Sequence, residues 1–284
     1  MAYSISGGAN IVDQGRIREV MARFRSLNEG DAAFTEVVGL GSDAVPILRG
    51  LLFAPEPSGL FQSRCRAVEA LASLKTFSVL ADFLRSRCDS DDAVERLGDD
   101  AVKSAAGRAL ARLREPWVYE LLLELAQRRP LLGILAGLGS FRRHESIPIF
   151  VEALGEDHLR LTAHGILRSF GRAAWPTLIA AALNLGNDQH AESESHLRKR
   201  RSALVLLLEG KLPRKSWPSL RALMDDRDPQ IALLACELCI EIGGARDRAR
   251  LCGRLMELRG DADWSARSRI DDLSRRANCH HSRI

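Results

Sequence analysis

Apolar residues recur along most of the chain at the spacing of one face of an α-helix. The recurring fragment places a small or apolar residue, a residue that is usually leucine four positions later, and a third anchor three positions after that. Residues three and four apart lie on the same side of a helix. Seven copies align, with the anchors Ala67/Leu71/Leu74, Ala106/Leu110/Leu113, Ile134/Leu138/Phe141, Ala163/Leu167/Phe170, Ala203/Leu207/Gly210, Ala235/Cys239/Ile242 and Ala266/Ile270/Leu273.

The spacing of the copies predicts pairs of helices. Successive middle anchors are separated by about 33 residues on average, the length of a helix-turn-helix repeat. An apolar-Pro-x-apolar string precedes four of the copies, at Pro46, Pro148, Pro176 and Pro218. Proline fits the first turn of a helix, where its missing N–H is not needed. Each repeat should therefore contain a helix A that begins near the proline and a helix B that carries the anchors.

These features resemble the HEAT repeat, and in particular the HEAT-like repeats of the phycobilisome-lyase type. The resemblance extends over residues 35–277. In that family helix B often has aspartate near its start, as at Asp100, Asp157 and Asp228, and arginine three positions before the small anchor. The arginine slot is basic in four copies and departs in three: Arg64, Lys103, Arg160 and Arg200, against Leu131, Ala232 and Asp263. The resemblance implies an all-α fold, a right-handed α-solenoid of about seven helix pairs, in which the arginine slot pairs with neighbouring aspartates.

The repeats predict one continuous array over residues 14–277. The segment Gln14 to Leu27 mixes charged and apolar residues, as expected of a capping helix. Residues 1–13 are expected to be disordered and residues 278–284 to form a frayed tail. Three polar stretches should be inserted loops, near residues 54–60, 88–98 and 186–195.

Composition and charge narrow the function classes only slightly. The 284 residues include 41 basic and 37 acidic side chains, for a net charge of +4, too small to require a nucleic-acid or membrane partner. The N-terminal residues lack the basic start and apolar core of a signal peptide. Six cysteines without an export signal are expected to be reduced thiols. We therefore expect a cytoplasmic protein that does not bind membranes.

The chemistry-bearing residues form no catalytic pattern, and no catalytic residue, metal site or cofactor is predicted. Cys236-x-x-Cys239 has the spacing of a zinc or redox motif. However, Cys239 occupies an anchor position, so packing is the preferred interpretation. Cys279-His280-His281 lies in the expected tail, where a specific metal site is not expected. Trp175 and Trp217 occupy the proline-marked apolar slot and are expected to be core residues.

The candidate binding residues lie in two groups. The first is a polar stripe on the B helices, expected on the concave face: Glu69, Arg108, Arg112, Arg168 and Glu241. The second is a basic block: Arg198, Lys199, Arg200 and Arg201. We expect a non-enzymatic scaffold or adaptor that binds a partner protein on the concave face or the loops. Two alternatives follow from the resemblance: a nucleic-acid-binding protein, similar to the alkylpurine DNA glycosylases, and a chaperone-like bilin lyase.

Overall fold

A computed structural model describes residues 10–54, 61–88, 90–184, 193–260 and 262–279. Within these ranges the backbone forms sixteen α-helices, several short 3-10 turns and no β-strand. The chain is therefore all-α, as its sequence pattern predicts. The helices divide into two compact units, of which one ends at Phe141 and the other begins at Arg142.

The first unit is built from four successive helix pairs. Its helices are α1 (Asn10–Arg25), α2 (Gly30–Gly39), α3 (Val45–Phe53), α4 (Gln62–Ser73), α5 (Phe77–Arg85), α6 (Ala93–Ala111), α7 (Pro116–Arg128) and α8 (Leu132–Ser140). Each odd-numbered helix A packs against the even-numbered helix B that follows it, and the B helices pack on one another in chain order. Each pair covers one side of the next, which is how helical repeats bury a continuous core.

The second unit repeats the same arrangement. Its helices are α9 (Ile147–Ala153), α10 (Asp157–Phe170), α11 (Trp175–Leu183), α12 (Glu194–Glu209), α13 (Trp217–Leu220), α14 (Pro229–Ile242), α15 (Ala245–Gly260) and α16 (Trp264–Arg276). The short α13 continues as a 3-10 turn through Asp225. The B helices α10, α12, α14 and α16 again pack in chain order. Both units are thus short helical-repeat stacks.

The structure has one more pair in its described residues than the seven aligned copies predict. The expected capping helix is α1, and it packs against α2, which in turn packs against α4. The helix α2 carries its own anchors, because Ala33 and Val37 are fully buried and Leu40 is half-buried. This copy has the same spacing as the others but valine at the middle position. The repeat pattern, whose middle anchor is usually leucine, therefore does not include it.

The anchors occupy the positions that the pattern predicts. All seven middle anchors, from Leu71 to Ile270, have at most 2% of their surface exposed, and this includes Cys239. The four marker prolines lie in the first turns of α3, α9, α11 and α13. The helix-pair interpretation of the two markers is therefore confirmed.

The loop predicted near residues 88–98 is confirmed for its described residues 88 and 90–92 and wrong from residue 93 onwards. Helix α6 begins at Ala93, and the side chain of Asp92 accepts a hydrogen bond of 2.8 Å from the backbone N–H of Val94. Aspartate is a preferred N-cap, and acidic residues are favourable in a first helical turn. The acidic run thus leads into a helix that Asp92 caps and that has Glu95 in its first turn. Residues 55–60 and 186–192 of the other two predicted loops lie outside the described residues, whereas Glu194 and Ser195 belong to α12.

The ends of the chain also differ from the expectation where they are described. Helix α1 begins at Asn10, so residues 10–13, predicted to be disordered, are helical. Cys279 of the predicted frayed tail forms a disulfide with Cys252 of α15. The remaining terminal residues, 1–9 and 280–284, lie outside the described residues, and the single continuous array stays a prediction.

Candidate binding surface of the B helices

The predicted polar stripe in the first unit contains an ion pair between neighbouring B helices. Arg112, at the end of α6, donates to both carboxylate oxygens of Glu69 on α4, at 2.7 and 3.2 Å. This hydrogen bonding, together with the negative charge of Glu69, raises the pKa of Arg112. Both side chains are substantially exposed. The pair connects adjacent repeats, and neither residue presents an uncompensated charge to a partner.

Arg108 is the exception within the stripe. Its side chain is exposed on α6 and makes no hydrogen bond or ion pair with any residue that the structure describes. It lies near Cys65 of α4, where its charge lowers the pKa of the thiol. Burial of Cys65 has the larger effect, so the pKa of that thiol is raised overall. Arg108 is therefore an exposed guanidinium free to meet an external acceptor.

The helix next to Arg108 approaches α6 closely. A Cβ atom added to Gly133 of α8 would lie 2.0 Å from the carbonyl oxygen of Ser104, and one added to Gly137 would lie 3.0 Å from that of Gly107. The two backbones are in contact because glycine has no side chain to separate them. Arg108 thus projects from a tightly packed helix pair.

In the second unit the stripe also consists of ion pairs between adjacent B helices. Arg168 of α10 lies 3.5 Å from the carboxylate of Glu209 on α12. His164, one turn earlier on α10, lies 3.9 Å from the same carboxylate. Glu241 of α14 accepts a hydrogen bond of 2.6 Å from Arg276 of α16. The predicted binding residues Arg168 and Glu241 therefore serve inter-repeat contacts.

Glu237 extends this network between α14 and α16. Its carboxylate accepts from Arg269 at 2.6 Å and from Arg276 at 3.2 Å. Burial of the carboxylate opposes ionisation, but the two guanidinium groups outweigh it and lower the pKa of Glu237. The sequence reveals the alternating signs of the stripe. The structure adds that opposite signs face each other across neighbouring helices.

Arg200 of the predicted basic block is a core residue. It is fully buried, donates to the carbonyl oxygen of Ala182 at 3.0 Å and pairs with the carboxylate of Asp226. Arg64 makes the corresponding contacts in the first unit, with the carbonyl oxygen of Leu52 and the carboxylate of Asp99. In both cases the arginine joins the end of helix A in its own pair to the next pair. The arginine slot is structural at these two positions, as the resemblance implies.

The other three residues of the basic block are paired as well. Arg198 lies 3.1 Å from Asp157 and donates to the carbonyl oxygen of Gly155. Lys199 lies 2.9 Å from Glu152. Arg201 lies 2.5 Å from Asp228, which also caps α14 by accepting from the backbone of Ile231. The block is dense in sequence, but within the structure each of its cations has a carboxylate partner. Three of these carboxylates lie near the starts of helices, and Glu152 lies in the last turn of α9.

The cysteines take two different roles. Cys236 and Cys239 are fully buried in α14, and burial raises the pKa of the two thiols to about 12 and about 11. Such thiols carry almost no thiolate at neutral pH, in agreement with packing. Cys252 and Cys279 form a disulfide with Cα atoms 5.5 Å apart. The prediction of reduced thiols is therefore wrong for this pair, because the end of α16 brings Cys279 back to α15.

The tryptophans are not equivalent. Trp217 has 4% of its surface exposed, and its indole Nε1 donates to Asp247 at 2.6 Å. Trp175 is half-buried, with the guanidinium of Arg172 5.7 Å from its ring centre. In contrast, Trp264 is 84% exposed. Trp217 is thus a core residue as predicted, whereas Trp175 lies at the edge of the core.

No three histidine, cysteine or acidic side chains come together to hold a metal ion in the described ranges. His280 and His281 of the predicted tail motif lie outside those ranges. Among the helices that the structure describes, none is both long and apolar enough to span a bilayer.

Comparisons with known proteins find similar solved structures. No family model matches the chain, and no curated protein matches it. One similar solved structure is an engineered protein from the Northeast Structural Genomics Consortium, at 13% identity over 94% of this chain and 80% of that chain, with a TM-score of 0.42. Another is the complex of CpcE and CpcF of phycocyanin lyase from Nostoc sp., at 17% identity over 91% of this chain and 98% of that chain, with a TM-score of 0.35.

Proposed function

We propose that this chain is a non-enzymatic scaffold or adaptor of the HEAT-like class, and that it binds a partner protein on the B helices of its first unit. The observation that supports the proposal is the state of Arg108. It is exposed, and it has no carboxylate partner among the described residues, whereas Glu69, Arg112, Arg168 and Glu241 are all paired within the chain.

The surroundings of Arg108 suit a protein partner. Arginine is enriched at the energetic centres of protein interfaces because its planar guanidinium combines apolar contact with several donors. The nearby Glu69–Arg112 pair gives the surface mixed charge. A partner protein can match alternating charges, whereas a nucleic acid would meet acidic side chains beside basic ones.

The two alternatives gain no specific support from the described residues. Nucleic-acid binding through the basic block is disfavoured because all four of its cations have carboxylate partners. A bilin lyase-like role rests on the sequence resemblance alone. Cytoplasmic location also stays a prediction, and its argument from reduced cysteines no longer applies to Cys252 and Cys279.

The experiment that tests the scaffold function uses the purified protein to capture partner proteins from extracts of the native host, and measures the amount of each captured protein. Arg108→Glu is compared with Arg85→Glu, which reverses an exposed arginine on an A helix of the same unit. We expect Arg108→Glu to reduce capture of the principal partner at least about tenfold, as for an interface hot spot, and Arg85→Glu to leave it unchanged. Equal capture of the principal partner by the wild type and both variants would reject this assignment.

A further inference from the structure

The second unit separates its charges between two edges. Its B helices run in the same direction, since Arg168 faces Glu209 and Glu241 faces Arg276 near the C-terminal ends of adjacent B helices. The starts of these helices therefore lie along one edge, and the turns that lead from each B helix to the next A helix lie along the other.

Contacts between successive turns place them side by side. The ring of His144, in the turn before α9, lies 6.1 Å from that of Phe170 at the end of α10. A Cβ atom at Gly210, after α12, would lie 2.9 Å from the indole nitrogen of Trp175. Trp217 donates to Asp247, which follows α14. Four consecutive turns thus form one continuous edge.

This edge carries six cations, which we call the basic edge: Arg142, Arg172, Lys211, Arg214, Lys215 and Arg246. All six are exposed, and none forms an ion pair with a residue in the described part of the chain. Arg172 rests on the ring of Trp175, and Lys211 is held in a left-handed conformation with φ of 53°. Two carboxylates lie beside these cations: Glu145, which is exposed, and Asp247, which is half-buried and accepts from Trp217. The edge therefore has a net positive charge.

These cations have no ion-pair partners because the aspartates at the starts of the B helices of the second unit lie on the opposite edge. Its carboxylates, Asp157, Asp226 and Asp228, lie near the starts of helices and pair with Arg198, Arg200 and Arg201. Acidic residues are favoured at helix N-termini and basic residues beyond helix C-termini. Only the acidic set is neutralised by the chain itself. The basic edge is left with an excess of positive charge.

We infer that the basic edge is a docking surface for an extended acidic polypeptide segment. The inference goes beyond the proposed function, because it adds a second surface, in the other unit, and names the chemistry of what binds there.

The spacing of the turns favours a polypeptide. Packed helices lie about 8–10 Å apart, so consecutive turns present cations at about 10 Å intervals. An extended chain rises about 3.3 Å per residue, so that carboxylates at every third residue match this interval. Duplex DNA carries one phosphate per strand for every ~3.4 Å of helix axis, a higher linear density of charge than six cations on four turns provide.

The aromatic residues of the edge also disfavour a single-stranded nucleic acid. Such ligands are bound largely by stacking of bases on open aromatic faces. Here Arg172 covers the ring of Trp175, and Trp217 is buried. Neither tryptophan of the edge is thus a fully open stacking platform.

The test measures the affinity of labelled peptides by fluorescence anisotropy at low salt. The probe is (Glu-Gly-Gly)₄, a peptide of about twelve residues that spans about 40 Å when extended. A clustered peptide of the same composition, with all glutamates consecutive, examines the spacing. The triple variant Lys211→Glu/Arg214→Glu/Lys215→Glu removes the centre of the edge. The charge-matched control is Arg221→Glu/Arg227→Glu/Arg267→Glu, which changes exposed cations of the same unit outside these turns.

We expect the spaced peptide to bind more tightly than the clustered one. The edge variant should weaken this binding about tenfold or more, since three favourable charge contacts become repulsive, and the control variant should change it less than about twofold. If both variants weaken binding equally, the effect comes from net charge alone and the inference is wrong. Tighter binding of the clustered peptide would overturn it as well.

A single-stranded oligonucleotide provides the remaining comparison. If it displaces the spaced peptide and binds more tightly in an edge-dependent manner, the edge is a nucleic-acid surface and the inference is wrong. These outcomes are independent of the capture experiment, because Arg108 lies in the other unit and is unchanged in every variant used here.

Discussion

Arg64 of α4 and Asp99 of α6 form an ion pair with 2.7 Å between guanidinium nitrogen and carboxylate oxygen, and both side chains are buried. Asp99 is shared with Lys103, whose ammonium group lies 3.0 Å away. Arg64 also donates to the carbonyl oxygen of Leu52. One carboxylate is thus the counter-ion shared by two cations at the contact of adjacent repeats, and its removal leaves both without a partner.

We therefore expect Asp99→Ala to lower the free energy of unfolding by about 3–5 kcal/mol, the usual cost of leaving a buried charge unpaired. Urea denaturation followed by circular dichroism measures the change. The matched control is Glu69→Ala, which breaks the exposed pair with Arg112 between the same two helices and should cost about 0–1 kcal/mol. A loss below about 1 kcal/mol for Asp99→Ala would contradict the structural role of the buried pair.

The contact of α6 with α8 predicts a strong effect of a single methyl group. In Gly133→Ala the new Cβ atom would meet the backbone of Ser104 at 2.0 Å. Backbone atoms cannot move aside as a side chain can, so the two helices must separate. We expect a loss of about 1–3 kcal/mol in the free energy of unfolding, as for other overpacked sites.

The control for this substitution is Gly165→Ala in α10. Nothing lies within 4 Å of a Cβ atom at Gly165, and alanine favours a helix by about 1 kcal/mol relative to glycine. The two variants should therefore change stability in opposite directions in thermal or urea unfolding. A neutral or stabilising effect of Gly133→Ala would mean that the backbones of α6 and α8 are not in contact at Gly133.

The fold was largely predictable because successive repeats share the same pattern of buried residues. A single buried leucine such as Leu71 carries little information, but the same spacing at Leu110 and Leu138 indicates a stack. Where a copy is altered, the prediction weakens. Val37 stands in α2 where most repeats have leucine, so the first pair was not predicted. The acidic residues before α6 were predicted to form a loop, because aspartate is common both in turns and at N-caps.

The candidate surface was predictable only in part, because sequence gives the sign of a charge but not its partner. Arg108 and Arg112 are four residues apart on one helix and look equivalent in sequence. The structure distinguishes them, since Glu69 of the preceding repeat reaches Arg112 only. The basic block likewise appeared free because its partners, such as Asp228 for Arg201, are distant in the chain.

Asp228 should make stability depend on pH. Burial of its carboxylate opposes ionisation, but hydrogen bonds from Arg201 and from the backbone of Ile231 prevail, and the pKa of Asp228 is lowered. A lowered native pKa gives stability that is fully present above the unfolded value of about 3.9 and is lost as the pH falls through the native pKa. Asparagine also caps helices well, so Asp228→Asn removes the charge and retains the cap.

We expect Asp228→Asn to be less stable than the wild type by about 1 kcal/mol at neutral pH. The difference should remain constant down to about pH 5. It should narrow as the pH falls below about 4, where Asp228 of the unfolded chain becomes protonated, and vanish as the pH falls through the lower native pKa. Urea unfolding of both proteins at several pH values measures it. Asp228→Ala, which removes the cap as well, should retain a deficit at low pH. A difference between wild type and Asp228→Asn that does not vary with pH would contradict the assigned ion pair.

The disulfide between Cys252 and Cys279 predicts both a thiol count and a change in stability. With six cysteines in the chain and four of them free, alkylation of unfolded, unreduced protein should add four adducts by mass spectrometry, and prior reduction should raise the number to six. In the folded protein Cys236 and Cys239 should react last, because burial raises the pKa of both thiols and excludes the reagent.

Loss of the bond in Cys279→Ser should destabilise the last helix pair. The bond closes a segment in which the two cysteines are 27 residues apart, and the chain-entropy model assigns such a loop about 3–4 kcal/mol. The control is Cys65→Ser, which replaces a free and only partly buried thiol and should cost much less. If reducing agent lowers the stability of the wild type but not that of Cys279→Ser, the effect belongs to this bond. Six adducts without reduction would instead show that the two thiols remain separate.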